Sequence, residues 1–132
     1  MLADRLDLSP DTTRRVLTSE DLARIEGYVG PAGDLHALLP AVLPLLRPCW
    51  YEVTVTAQRG TVITLGYLAE PHADGIAISL AASAAGYDWI KRLDPVVVTA
   101  SGMHQPVGMP QEDWREIRAA AGIVLRAILM RL

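Results

Sequence analysis

The sequence predicts an α+β (α/β) domain: a mostly antiparallel sheet of about four strands, covered by helices and closed by a long C-terminal helix. Three observations predict it. Tyr51, Val53, Val55 and Ala57 alternate with Glu52, Thr54 and Thr56, the period of a half-buried strand. A second β-branched run, Thr61 to Leu68, follows after Gln58-Arg59-Gly60, so the two runs read as a hairpin with Gly60 at a bulged turn. Near the end, Trp114, Ile117, Ala121, Val124, Leu125, Ile128 and Leu132 form one wide helical stripe.

The elements follow in order. Residues 1–29 read as short helices. Ser9-Pro10-Asp11 suits a helix start, with Ser9 as N-cap and Pro10 in the first turn. Thr18 and Ser19 cap a second helix, in which Leu22, Ile25 and Val29 recur at helical spacing before Gly30-Pro31 ends it. A helix from about Asp34 to Leu46 carries Pro40 and Pro44. Each proline removes a backbone donor, so a kinked or broken helix is expected. After the hairpin, Gly75 to Ala81 predicts a third strand, with Ile76, Ile78 and Leu80 on one face. Ala82 to Leu93 reads as a short helix weakened by Gly86 and broken by Asp94-Pro95. Val96-Val97-Val98 reads as a buried strand, and Ser101 to Pro110 as a loop. Pro110, Glu112 and Asp113 start the last helix, Gln111 to Leu132. The domain organisation expected is a single domain, 1–132, with an N-terminal helical segment at 1–30 and a sheet-and-helix core at 34–132.

Composition bounds the function classes. The chain has 132 residues, 51% of them apolar, and a net charge of −3, which argues against disorder. Lys91 is the only lysine and the other basic residues are arginines, a bias typical of GC-rich bacterial genomes. The longest nearly apolar stretch, Leu35 to Leu46, is too short to span a bilayer, and no signal-peptide pattern opens the chain. A lone cysteine, Cys49, suits a reducing compartment. Cytoplasm, with no membrane association, is the expectation. No basic tract is present to neutralise a run of phosphates.

Catalytic motifs are missing at the sequence level. His36, His72 and His104 lack metal-ligand spacing. Cys49 follows Arg47 closely, but no motif joins it to a histidine. Ser79, Ser83 and Ser101 lack a nucleophile elbow. Asp88 with Asp94, and Glu112 with Asp113, read as helix-end charges. No cofactor is predicted, and the lack of any linear motif weighs against an enzyme, although a site assembled from scattered residues would leave no such trace. The candidate ligand-binding residues are aromatic: Trp50, Tyr51 and Tyr67 on the hairpin, and Trp89 beside Tyr87 near the third strand. Rings on a sheet can line an apolar pocket; in a chain without phenylalanine they can equally be ordinary core.

Residues Leu2 to Leu17 resemble the second and third helices of bacterial helix-turn-helix regulators. Ala3 corresponds to the small residue of the first helix and Asp7-Leu8-Ser9 to the turn. Thr12, Thr13, Arg14 and Arg15 correspond to the recognition helix, which in such families faces base edges. Leu35 to Tyr67, with the final helix, resembles in its order of elements the GAF-like effector domains of IclR-type regulators. The resemblance implies a transcription-related sensor with DNA contacts at Thr12–Arg15. Residues 1–30 carry four arginines against six acidic residues, so DNA is possible but not favoured. The same stretch also reads as two amphipathic helices packing on the sheet.

The functional expectation is a non-enzymatic regulatory or sensing module that binds a small molecule or a protein. Such a sensor would hold a dry cavity near Trp50, Tyr67 and Trp89. It would form a homodimer through the C-terminal helix by way of Leu129 and Leu132. The alternative is a protein-interaction component (an adaptor, immunity-type or assembly protein) with no ligand pocket and an acidic face near Glu20, Asp21 and Glu26.

Overall fold

The computed structural model describes residues 1–28 and 35–132. An N-terminal 3-10 turn, Leu2–Arg5, precedes strand β1 (Thr13–Val16) and helix α1 (Ser19–Glu26). Helix α2 (Leu35–Val42) tightens into a 3-10 turn at Leu43–Leu45. Strands β2 (Cys49–Thr56), β3 (Val62–His72), β4 (Gly75–Ala84), β5 (Ile90–Thr99) and β6 (Gly102–Met103) follow, then helix α3 (Gln111–Leu129). The strands form one sheet in the order β1-β2-β3-β4-β5-β6. The fold is therefore α+β with a long C-terminal helix. The sheet has six strands rather than about four, and it is mixed: β1 runs parallel to β2 and the other neighbours are antiparallel.

Strand β1 is the largest departure from expectation. Ser9-Pro10-Asp11-Thr12 forms a turn, not a helix start. The Thr12 N–H donates to the Ser9 carbonyl at 3.0 Å, and the Ser9 hydroxyl bonds the Asp11 carboxylate. Proline at the second position of a turn and serine at the first suit this geometry as well as they suit a helix N-terminus. What decides is the segment that follows. Thr12, Thr13 and Val16 are β-branched and stiff, and β2 offers an unpaired edge. Thr13 N–H donates to Pro48 O at 3.0 Å and Leu17 N–H to Glu52 O at 2.8 Å. Thr12, Thr13, Arg14 and Arg15 consequently belong to an extended segment, and no recognition helix forms there.

The stretch Ala82 to Leu93 is not a helix either. β4 continues to Ala84, Gly86 turns the chain at φ +84°, and β5 begins at Ile90. Alanine-rich sequence favours a helix in isolation, but here β4 lies between β3 and β5, where both neighbours supply ladder hydrogen bonds. Asp94-Pro95 does not end β5. Ile78 pairs with Val96 and Leu80 with Leu93, so Ser79 alone faces both Asp94 and Pro95. This is a β-bulge, and a bulge tolerates a proline that lacks a ladder donor.

Two smaller expectations also fail: Gly102–Met103, inside the stretch read as a loop, pairs with Val98 and Thr99 as β6, and Asp88 and Asp94 stand at no helix end. Three local expectations hold. Thr18 Oγ1 accepts the Asp21 N–H at 3.1 Å and Asp21 Oδ2 accepts the Thr18 N–H at 2.9 Å, a reciprocal cap that starts α1. Pro40 is accommodated inside α2, and the tightening comes at Leu43–Leu45, around Pro44. Gly60 turns the β2–β3 hairpin at φ +80°. Val29, the Gly30-Pro31 break and Asp34 lie outside the described residues.

Alternation along the strands gives the sheet two distinct faces. On one face Tyr51, Val53, Tyr67, Ile76, Ile78, Val96 and Val98 pack with Leu38, Leu39 and Val42 of α2 and Ile117, Ala121, Val124 and Leu125 of α3. Leu129 and Leu132, the apolar edge expected to meet a second subunit, pack half-buried against this same core. The opposite face carries small residues on β4, Ala77, Ser79, Ala81 and Ser83. Over it lies the N-terminal segment, whose Leu2 and Ala3 are buried with Trp50 and Ala81. Trp50 lies flat on this face because Gly66, two strand positions from its cross-strand partner Leu68, leaves room for the indole. A Cβ on Gly66 would sit 1.9 Å from Trp50 Cζ2. Gly66→Ala is therefore expected to expel the indole and cost about 1–3 kcal/mol or more. Urea denaturation followed by tryptophan fluorescence checks this, and parental stability would contradict the close approach.

Candidate functional site

The second face of the sheet carries the site. The N-terminal segment crosses it and is tied down at several points. Glu52 is 7% exposed, and its Oε1 accepts the Trp50 indole N–H at 3.0 Å and the Ala3 N–H at 3.2 Å. Asp4 pairs with Arg14 of β1 at 2.8 Å, and Arg5 donates to the Asp88 carbonyl at 3.0 Å. Surface pairs of the last two kinds contribute little individually. The buried Glu52 bonds decide the docking, because two N–H donors would otherwise be stranded.

Between this segment and the strands lies a groove of about 470 Å³. Leu6, Leu8 and Ser9 form one wall, and Trp50, Leu68, Ser79 and Ala81 the floor. The opposite wall is the bulged part of β5, Arg92 to Pro95. Bulges re-aim side chains and are enriched beside binding sites. Asp7, Glu70 and Asp94 supply three carboxylates against the single guanidinium of Arg92.

Thr12 completes the lining. It is 7% exposed, and its Oγ1 finds no hydrogen-bond partner among the described residues. A buried hydroxyl left unpaired costs about 1–3 kcal/mol. The turn at Ser9–Thr12 puts it there, since it carries the chain from the groove wall into β1. Ser79, Asp94 and Thr12 line the groove without being among the ligand-binding residues the sequence suggests. The usable signal was the Asp94-Pro95 pair inside a β-branched run, which can mark a bulge as well as a break.

Trp50, Tyr67 and Trp89, expected around one cavity, do not share one, and Tyr51 joins none of them in a recess. Residues 50 and 51 are adjacent on β2, so their side chains leave opposite faces. Trp50 enters the groove, whereas Tyr51 and its cross-strand neighbour Tyr67 belong to the helix-covered core. Trp89 is 49% exposed beside Tyr87, ring centroids 6.5 Å apart. Tyr67 and Trp89 do meet, in a separate recess of about 340 Å³ between the strands and α3. Lys91 stands at that recess, its Nζ 3.1 Å from Asp113 and 3.5 Å from Glu116. Of the residues read as DNA-contacting, Thr12 is buried in the groove and Arg14 is engaged with Asp4. Thr13 and Arg15 lie in β1 on the sheet's other face.

Among the described residues, no group of three or more His, Cys, Asp or Glu is placed to hold a metal ion, and no helix is long and apolar enough to cross a membrane. No family model matches this chain, and neither a curated protein nor a solved structure is significantly similar to it.

Cys49 is buried on the helix-covered side. Burial pushes its thiol up to about 11 from an ordinary value of 9.0. A thiolate nucleophile does not form at neutral pH. A raised acid pKa stabilises the fold below the unfolded value and loses that contribution as pH climbs through the folded one. Stability should thus decline between pH 9 and about 11, with the buried Tyr51 and Tyr67 hydroxyls, also pushed up, adding to the decline above pH 10, and Cys49→Ala should lessen it, most between pH 9 and 10, in pH-dependent urea titrations. Rapid alkylation of the native protein by iodoacetamide at neutral pH would contradict the assignment.

Proposed function

We propose that this chain is a non-enzymatic binding module of regulatory or sensing type, and that it holds a small molecule in the groove beneath its N-terminal segment. The observation that carries the reading is Thr12: a buried hydroxyl with no partner among the described residues, on the wall of a groove of ligand size. The groove's volume lies within the range of about 300–1,000 Å³ usual for ligand pockets, and its lining is more polar than most. Trp50 and Leu68 offer a flat apolar floor. Three carboxylates against one guanidinium favour a ligand with a cationic group, such as an amine, plus a hydrogen-bonding group for Thr12. Because one wall is the N-terminal segment, ligand binding would tighten that segment's docking, and its position would report occupancy.

A thermal-shift screen against metabolites grouped by charge tests the proposal. A ligand at about a hundred times its dissociation constant adds roughly 2.7 kcal/mol of stability. Amine-bearing compounds should raise the midpoint. Thr12→Val should keep or raise the stability of the unliganded protein, since it replaces an unpaired hydroxyl with a methyl, yet weaken binding about tenfold. Hits unaffected by Thr12→Val would sink the reading.

A second reading rests on Tyr87 and Trp89, an exposed aromatic pair of which Trp89 lines an apolar recess. Such residues often anchor protein interfaces. They support the alternative of a protein-interaction component, which a flat metabolite screen would favour.

A further inference from the structure

Three arginines from separate parts of the chain converge at the end of the helix-covered layer. Arg15 lies on β1, Arg47 just before β2, and Arg131 just after α3. Together with Thr13 and Tyr51 they line a recess of about 270 Å³ with Cys49 at its base. No carboxylate side chain lines it, although the chain as a whole is acidic, at −3. None of the three guanidinium groups is ion-paired with a described carboxylate, whereas Arg14 and Arg24 are, with Asp4 and Asp21. Like charges do not gather by default. With no Asp or Glu side chain in the lining, they leave a positive potential directed into a concave surface.

The backbone at Arg131 supplies an independent observation. α3 ends in a reciprocal pair of hydrogen bonds, Leu132 N–H to Ala127 O at 3.0 Å and Arg131 N–H to Ile128 O at 3.0 Å. In this termination the residue after the cap takes the left-handed conformation and is usually glycine. Arg131 occupies it at φ +58°. A disfavoured residue type thus stands where it contributes the third guanidinium of the cluster.

We propose that Arg15, Arg47 and Arg131 form a binding site for a small polyanion bearing phosphoryl or carboxylate groups, separate from the Thr12 groove. Guanidinium forks bind both oxyanions bidentately. Tyr51, whose hydroxyl donates to the Leu132 carbonyl oxygen at 3.1 Å, holds the segment carrying Arg131 against β2.

Isothermal titration of the full chain with inorganic pyrophosphate and, separately, with succinate tests the site, at ionic strength held constant with sodium chloride. The expected result is saturable binding of at least one probe at a single site; a preference for pyrophosphate marks a phosphoryl ligand, and for succinate a carboxylate. Arg131→Gly should weaken binding about tenfold or more while keeping or raising the melting temperature, because glycine suits the left-handed position. Arg15→Gln and Arg47→Gln should weaken it similarly and carry the test if Arg131→Gly fails to fold. Arg59→Gln, in the β2–β3 turn, should leave it unchanged. No binding above the chloride control, or equal losses in Arg59→Gln and Arg131→Gly, would overturn the proposal.

Discussion

Burying a carboxylate costs several kcal/mol unless its oxygens are hydrogen-bonded, and Glu52 is buried in the second face of the sheet. Its Oε1 meets that demand with two donors, the Trp50 indole N–H and the Ala3 backbone N–H. The first donor is available only because the indole lies over Gly66, which has no side chain to obstruct it. The second brings Leu2 and Ala3 down onto Trp50 and Ala81. Three residue choices at positions 50, 52 and 66 therefore set where the N-terminal segment crosses the sheet.

Much of the rest depends on that crossing. With Leu2–Arg5 docked, the following residues must descend to the β2 edge, and the Ser9–Thr12 turn takes them there into β1. The descent encloses the Thr12 groove between Leu6–Ser9 and the β5 bulge. It also places Arg15 on the other side of the sheet, facing Arg47 and Arg131. Both candidate sites thus depend on one short strand, whose outer edge is open and charged. Charges on a short edge strand also discourage pairing with another chain.

The elements with a strong local period were legible in the sequence: the hairpin around Gly60, the capped helix after Thr18 and the C-terminal helix. Each declares itself within a few residues through alternation, a cap or a stripe. β1 was not legible, because Ser-Pro-Asp serves turns and helix starts alike, and the deciding partner, β2, lies more than thirty residues away. The segment Ala82–Ala84 failed for a related reason, since helix propensity yielded to pairing on both sides. The site was half legible. Trp50 was singled out and does line the groove, but adjacency with Tyr51 put the two rings on opposite faces. Thr12 was noticed as a DNA contact; its buried, unpartnered hydroxyl follows from tertiary placement alone. The arginine cluster has no sequence signature, as its members are separated by long stretches of chain.

The docking of the N-terminal segment through Glu52 is the central claim, and amide hydrogen exchange read by NMR tests it most directly. The Ala3 amide and the Trp50 indole N–H should both be protected in the native protein. In Glu52→Ala both should lose protection, while β4 amides stay protected and the sheet stays folded. An Ala3 amide that exchanges freely in the native protein, or one as well protected in Glu52→Ala as in the parent, would contradict the account.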